Sequence, residues 1–350
     1  IRLSLVGSEM CIRDSTSIEV GEFITATVTY DEGTGGLKDT SEFSPCAVVQ
    51  EPDSPGSSGV FVVNSTADTA EAGGQIGDGF CDVGSGVCTL RAAIQEANAG
   101  GEPPYTISFN IAGTAPHRIN LTSPLPALSV PVLVKGKNAG YSGPPVIEIN
   151  GSGAGAASGL ILDSTGIAID GLSIINFGSG SAILVSTDGA TISNNYLGLA
   201  ADGTTIGGNQ NGVMISSQST NLIRDNVISG NFYGIRLTGS TTTDNTIRNN
   251  YIGTDAGGTL DKGNSNDGIR IEGSPDNLIQ DNTISGNNND GIEISGGAAN
   301  NRIFGNNIGV FSNGSGSLGN SANGVNLNTT SNNLVSNDNT IRYNGGSGVF

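Results

Sequence analysis

A glycine followed by alternating apolar residues recurs six times in the second half of the chain. It stands at Gly212-Val-Met-Ile, Gly234-Ile-Arg-Leu, Gly268-Ile-Arg-Ile, Gly291-Ile-Glu-Ile, Gly324-Val-Asn-Leu and Gly348-Val-Phe. The intervals are 22, 34, 23, 33 and 24 residues, so short and long units alternate in a super-repeat of about 56. A unit this short cannot bury its own apolar face and has to stack on its neighbours. It is also shorter than the ~33 residues a helical-pair repeat needs. Leucine-rich repeats share the length, but their leucine spacing is missing.

A second register runs through each unit, as Leu222-Ile-Arg-Asp-Asn-Val-Ile228, Thr246-Ile-Arg-Asn-Asn-Tyr-Ile252, Leu278-Ile-Gln-Asp-Asn-Thr-Ile284 and Arg302-Ile-Phe-Gly-Asn-Asn-Ile308. Each unit therefore holds three short strands with sharp corners. That is one coil of a parallel β-helix, rising ~4.8 Å per coil. Stacking makes Ile223, Ile247, Ile279 and Ile303 one buried ladder. Asn195, Asn226, Asn250, Asn282 and Asn306 become an asparagine ladder at a corner, where Asn tolerates left-handed backbone and its amide bonds the next Asn. The long units carry matched insertions at 196–209, 251–264 and 307–320, each closing on Gly-Asn. These line up on one side every second coil, as a groove wall or as corner decoration. The pattern resembles the pectin-lyase-like fold over roughly 105–350. That resemblance implies an all-β, right-handed parallel β-helix with 22–24 residues per coil and longer insertions in alternate coils.

Earlier segments fit less regular coils: Tyr105-Thr-Ile-Ser-Phe-Asn-Ile111, His117-Arg-Ile-Asn-Leu121, Val132-Leu-Val-Lys-Gly136, Val146-Ile-Glu-Ile-Asn-Gly151, and Ile167-Ala-Ile-Asp-Gly-Leu-Ser-Ile174 opening the regular stack. With 55 glycines in 350 residues and 13% charged residues, the composition looks disordered at first. The recurring bursts of Ile, Val and Leu argue for ordered short strands instead.

Upstream, residues 60–101 form a separate reading. Val60-Phe-Val-Val63 is a strand. Leu90, Ala93, Ile94 and Ala97 fall on one face of a helix that Thr89 can cap and Gly100-Gly101 stop. The run Cys88-Thr-Leu-Arg-Ala-Ala93, followed by Ile-Gln-Glu-Ala-Asn98, resembles the CSLREA domain, departing from its core at Thr89 and Ala92. The resemblance implies an exported bacterial protein in which this segment precedes a β-helix, and it lends no catalytic residue. An amphipathic helix over 88–99 would cover the open end of the coil stack, whose strand edges otherwise invite aggregation. Cys81 and Cys88 bracket a glycine turn and read as a disulfide, two reduced thiols being the alternative. A zinc site has few other ligands, with Cys46 and His117 remote in sequence.

Residues 1–15 resemble a translated sequencing-adapter scar and are set aside from the fold. Residues 16–50, with Ile24, Ala26, Val28 and Tyr30 alternating with Thr, read as the tail of a preceding β domain, and 51–59 as a linker. The chain stops inside a repeat, so truncation is expected there.

A net charge of −18 excludes a basic nucleic-acid binder, and no run of 18 apolar residues could span a membrane. Stacking turns sequence columns into surface rows. The residue before the repeated glycine is Tyr233, Asp267, Asp290 and Asn323 in successive coils. Asp267 and Asp290 would then lie ~5 Å apart, close enough to share a proton, bind Ca²⁺ or serve as a retaining-glycosidase pair. Asp225, Asn249 and Asp281 form a second row, with Arg224 and Arg248 beside it as a lyase-like alternative. The competing reading of both rows is plain turn chemistry. Arg236, Arg270 and Glu293 form an outward column, a candidate glycan contact with Tyr233. Arg270–Glu293 would be a solvated pair worth under ~1 kcal/mol.

No convergent catalytic set emerges, so the favoured reading is a secreted or cell-surface, monomeric β-helix with a structural, adhesive or glycan-contacting role and no cofactor beyond Ca²⁺. The alternative is a polysaccharide lyase, hydrolase or epimerase with its groove along one sheet. Extracellular polysaccharide or cell-surface components are the expected partners.

Overall fold

The computed structural model describes residues 2–6, 9–13, 59–137 and 141–350. The alternating strand expected at 24–30, the rest of 16–50 and the linker up to residue 58 lie outside the described residues. The chain divides into two units, Ile1–Ser57 and Ser58–Phe350. In the first, strands Arg2–Val6 and Glu9–Arg13 pair antiparallel.

The second unit is a coil stack. One turn runs from Thr191–Ser193 to Tyr196–Leu197 and on to Asn211–Ser216, then returns as Leu222–Arg224 with Ile223 opposite Ile192. Repetition builds three parallel sheets. The first has ten strands, from Val60–Val63 to Leu334–Val335. The second has nine, from His117–Asn120 to Thr340–Ile341. The third has seven, from Leu160–Leu162 to Val325–Leu327. Ile223, Ile247, Ile279 and Ile303 are in register and fully buried. The second sheet adds Leu197, Ile228, Ile252, Ile284 and Ile308, and the third Val213, Ile235, Ile269, Ile292 and Val325. Three inward columns of mostly β-branched residues thus meet in one core, as suits parallel strands covered on their inner face.

The repeated glycine owes its place to the neighbouring coil. A Cβ on Gly268 would stand 2.7 Å from the Gly291 carbonyl oxygen and 2.8 Å from Asn287 Nδ2. Gly212, Gly291 and Gly324 meet the next coil's backbone at 2.6 Å in the same way. Gly268→Ala is therefore expected to force two coils apart and cost about 2–3 kcal/mol in urea unfolding. Gly73→Ala, whose Cβ would meet nothing within 4 Å, should stay within about 0.5 kcal/mol. Equal effects would refute a packing role for the repeated glycine.

Each of the three corners carries its own asparagine ladder. Asn195, Asn226, Asn250, Asn282 and Asn306 continue to Asn339. The sequence reading missed the other two: Asn209, Asn231, Asn264, Asn287, Asn320 and Asn344 at the second corner, and Asn221, Asn245, Asn277, Asn301 and Asn333 at the third. The left-handed residue is not the ladder asparagine. It is the residue before it, at Asn194, Asp225, Asn249 and Asp281, with φ of 54 to 58°. The segment 167–174 is likewise two strands, Ala168–Asp170 and Leu172–Ile175, parted by Gly171 at φ 76°.

Helix α1 (Leu90–Ala99) starts at Thr89, whose hydroxyl accepts the Ala92 N–H at 3.1 Å, and stops at Gly100. Leu90, Ala93, Ile94 and Ala97 join the core that the coils build. Arg91 of the CSLREA-like run is 7% exposed. It forks onto Asp68 with two 2.9 Å bonds and donates to the carbonyls of Ser123 and Pro124, so it pins the segment to an early coil. Cys81 and Cys88 are joined as a disulfide, with Cα atoms 5.1 Å apart, which removes the free-thiol and zinc alternatives for this pair.

Candidate functional site

The third sheet gathers the predicted column into one patch. Its strands put Arg236 beside Arg270 and Arg270 beside Glu293, because the register advances one coil at a time. Tyr233, Asp267 and Asp290 stand immediately before the repeated glycine and arrive at the same edge. Carboxylate oxygens of Asp267, Asp290 and Glu293 all lie within 4.8 Å of one another.

These acids are buried, at 0%, 3% and 8% exposure. Arg270 joins two of them, at 3.3 Å from Asp267 and 2.5 Å from Glu293. The Asp267 Oδ1 accepts Asn289 Nδ2 at 2.6 Å and the Asp290 N–H at 3.2 Å. Asp290 Oδ1 accepts the Asn323 backbone and side-chain N–H groups, and its Oδ2 accepts Asn326 Nδ2 at 2.8 Å. Burial, then the Asp267 charge, raises the Glu293 carboxyl above its usual range, although Arg270 pulls the other way. Burial pushes the Arg270 guanidinium down, but Glu293, Tyr233 and Asp267 outweigh it, so it is held as a cation. The solvated Arg270–Glu293 pair expected from the column is thus corrected. It is the middle of a buried network, where the surface-pair value does not apply.

Above the acids the patch turns aromatic. The guanidinium carbons of Arg236 and Arg270 lie 5.6 and 5.7 Å from the Tyr233 ring centroid. Phe232 meets Tyr233 edge-on at 4.8 Å and is 41% exposed. Arg236 also pairs with Glu272 at 3.1 Å. Phe232, Glu272, Asn289, Asn323 and Asn326 were not singled out from the sequence as site residues. Phe232 beside Tyr233, and Asn326 directly opposite Glu293 in the register, were the available signals.

The second predicted row does not converge. Asp225 and Asp281 are left-handed corner residues. Asp225 is tied to its neighbour Arg224 at 2.6 Å, and Asp281 accepts Gln280 Nε2 at 2.8 Å. Arg248 continues the Arg224 column and is exposed. His117 lies in a second-sheet strand of an early coil, outside the patch. The insertions do line up. Ser312 N–H donates to the Gly258 carbonyl, which joins insertions two coils apart.

A parallel β-helix with a buried acidic network beneath an aromatic and guanidinium surface is the class of protein these features define. Residues 142–350 match the family described as Periplasmic copper-binding protein (NosD), and the chain belongs to that family. No curated protein matches the chain. Among solved structures, pectate lyase Pel9A is 14% identical over 82% of this chain and 80% of its own, with a TM-score of 0.41. The alginate lyase from Paenibacillus sp. str. FPU-7 is 16% identical over 74% and 95%, with a TM-score of 0.39. The periplasmic alginate epimerase AlgG is 13% identical over 70% and 67%, with a TM-score of 0.37. These are likenesses of fold alone.

Proposed function

We propose that this chain is a β-helix of the cell envelope that contacts neutral glycan through its third-sheet patch, without turnover there. One observation carries the reading: Phe232, Tyr233, Arg236 and Arg270 converge on one accessible edge, held from beneath by buried acids. Aromatic faces take the C–H side of a sugar ring, and guanidinium forks take its hydroxyls. The chain's net charge of −18 disfavours an anionic polymer.

Asp267 and Asp290 supply the spacing of an acid pair, but each oxygen of theirs already serves Arg270 or an asparagine or backbone N–H. A general acid needs an oxygen free to reach substrate. Arg270 also supplies the positive charge that Ca²⁺ would bring between Asp267 and Glu293.

Copper, which the family's description implies, does not fit the described residues. Soft thiolate, thioether or imidazole donors select it. Cys81 and Cys88 are spent on their disulfide, and among the described residues the only cluster of three or more His, Cys, Asp and Glu is made of carboxylates. Helix α1 and the 60–101 segment fit the role of an end cover, since α1 packs against the first two strands of the first sheet.

A polysaccharide panel, with and without Ca²⁺, tests the reading. Saturable binding without product release is expected, and Tyr233→Ala should weaken it about tenfold or more. Product release that Asp267→Ala abolishes would establish the lyase or hydrolase alternative in its place.

A further inference from the structure

The matched insertions stand over the second sheet, away from the third-sheet patch. Each is seated on the preceding coil, where the hydroxyls of Ser173, Ser229 and Ser285 donate to the carbonyls of Leu199, Thr254 and Val310. A Cβ on Gly203 of the first insertion would stand 3.2 Å from Ala256 Cβ of the second, and the second accepts a bond from the third. The insertions therefore build one wall. The first corner builds the other, with Asn194, Asp225 and Asn249 on left-handed backbone. Between them Tyr196, Val227 and Tyr251 are in register, which sets the two tyrosines two coils, ~10 Å, apart. A Cβ on Gly203 or Gly258 would meet the Tyr196 or Tyr251 ring at 3.3 or 3.5 Å, so each ring leans on the turn of its own insertion.

A cavity of about 430 Å³ lies here, with Lys137, Asn194, Tyr196, Asp225, Tyr251 and Ala256 in its lining. That is the small end of the range for discrete small-molecule sites. Lys137 is half-buried, and burial lowers its ammonium below the ordinary value against the pull of Asp170. Asp170 Oδ1 already accepts Ser193 Oγ at 2.8 Å and Asn194 Nδ2 at 2.6 Å, and Asp225 is tied to Arg224. Among the described residues Lys137 has no carboxylate within ion-pair distance, and Asn138, Ala139 and Gly140 bring no charge. A half-buried cation without a counter-ion is completed by an anion. Burial, then Tyr141 and Asp255, pushes the Tyr196 phenol above its ordinary value, so it stays a donor. Tyrosine faces suit the C–H side of a sugar ring, and asparagine amides suit its hydroxyls. We propose that this cavity binds one sugar ring bearing a single carboxylate, as at the acidic end of a glycan, with Lys137 taking the carboxylate and Tyr196 and Tyr251 the ring. One charge matches one cation. A polymer charged on every unit would bring further carboxylates against Asp225 and a chain of net charge −18.

Saturation-transfer NMR on the full chain, comparing methyl glucuronide with methyl glucoside, tests this. The glucuronide should bind with a Kd of about 1 mM and the glucoside about tenfold more weakly. Lys137→Met should make the two bind alike, and Tyr251→Ala should weaken both. Tyr233→Ala, in the third-sheet patch, should change neither, which separates this site from the glycan reading above. If Lys137→Met does not fold, the unsubstituted chain still answers: the ε-methylene resonance of Lys137, one of only four lysines, should move with glucuronide and stay with glucoside. Equal affinity for the two sugars overturns the proposal, as does a preference that survives Lys137→Met or disappears in Tyr233→Ala. Displacement of the glucuronide by an equal concentration of inorganic phosphate also overturns it, reducing the site to a bare anion contact.

Discussion

Replacing Asn250 by leucine is expected to destabilise the coil stack by about 3–5 kcal/mol, although the two side chains share one branched heavy-atom skeleton. Asn250 is fully buried. Its Oδ1 accepts both the backbone and the side-chain N–H of Asn226, each at 3.0 Å. Its Nδ2 donates to the carbonyls of Ile223 and Arg248 and to Asn282 Oδ1. Leucine would leave the buried Asn226 N–H without an acceptor and put a branched apolar group between two amides. One orphaned buried donor costs about 1–3 kcal/mol, and the interrupted stack adds to it. The same change at Asn339, the half-buried end of the ladder, breaks only the bonds to one coil and should cost about 1 kcal/mol. Urea unfolding followed by far-UV circular dichroism compares the two. Because neighbouring coils couple only through their shared face, the Asn250 variant should also unfold less cooperatively. A loss under about 1 kcal/mol at Asn250 would mean that the ladder decorates the corner without holding it.

The ladders also mark how far the sequence could be read. A spacing repeated every coil becomes a spatial column, so Ile223 to Ile303 and Asn195 to Asn306 were legible as soon as the period was. The column of Asn209, Asn231 and Asn264 was harder to see. Asn209, Asn264 and Asn320 looked like the closing residues of separate insertions, with nothing in them to point to Asn231 and Asn287 in the short units. Left-handed backbone was assigned to the wrong residue because Asp-Asn and Asn-Asn pairs offer two candidates, and only the register decides which one turns. At the third-sheet site, the column gave Tyr233, Asp267, Asp290, Arg270 and Glu293 by position. The burial of the three acids did not follow from position. A charged residue pointing outward from a sheet reads as solvated, and it takes Asn289, Asn323 and Asn326 donating to the acids to close the site over.

Arg270→Met should destabilise the protein by about 3 kcal/mol or more at neutral pH, and acid should restore much of the loss. Methionine can follow the arginine stem but leaves Asp267, Asp290 and Glu293 buried without their cation. Removing one partner of a buried ion network typically costs about 3–5 kcal/mol. The pH dependence follows from Glu293, whose carboxyl the folded protein already holds above the ordinary value of 4.5. Folding therefore favours its protonated form. That contribution is complete below the unfolded value and is lost as pH rises through the folded one. Without Arg270, the one group that lowers the Glu293 value is gone, so the folded value climbs further and the sensitive window widens upward from 4.5. Thermal unfolding at about pH 5 and about pH 8 should then show a far larger gap for Arg270→Met than for the wild-type chain. Arg270→Met combined with Glu293→Gln should remove most of that gap, because the amide cannot ionise. A variant equally stable at both values would show that the three acids do not depend on the guanidinium. Tyr233 would then lose its support from below, and the glycan-contacting patch would have to be held by the strands alone.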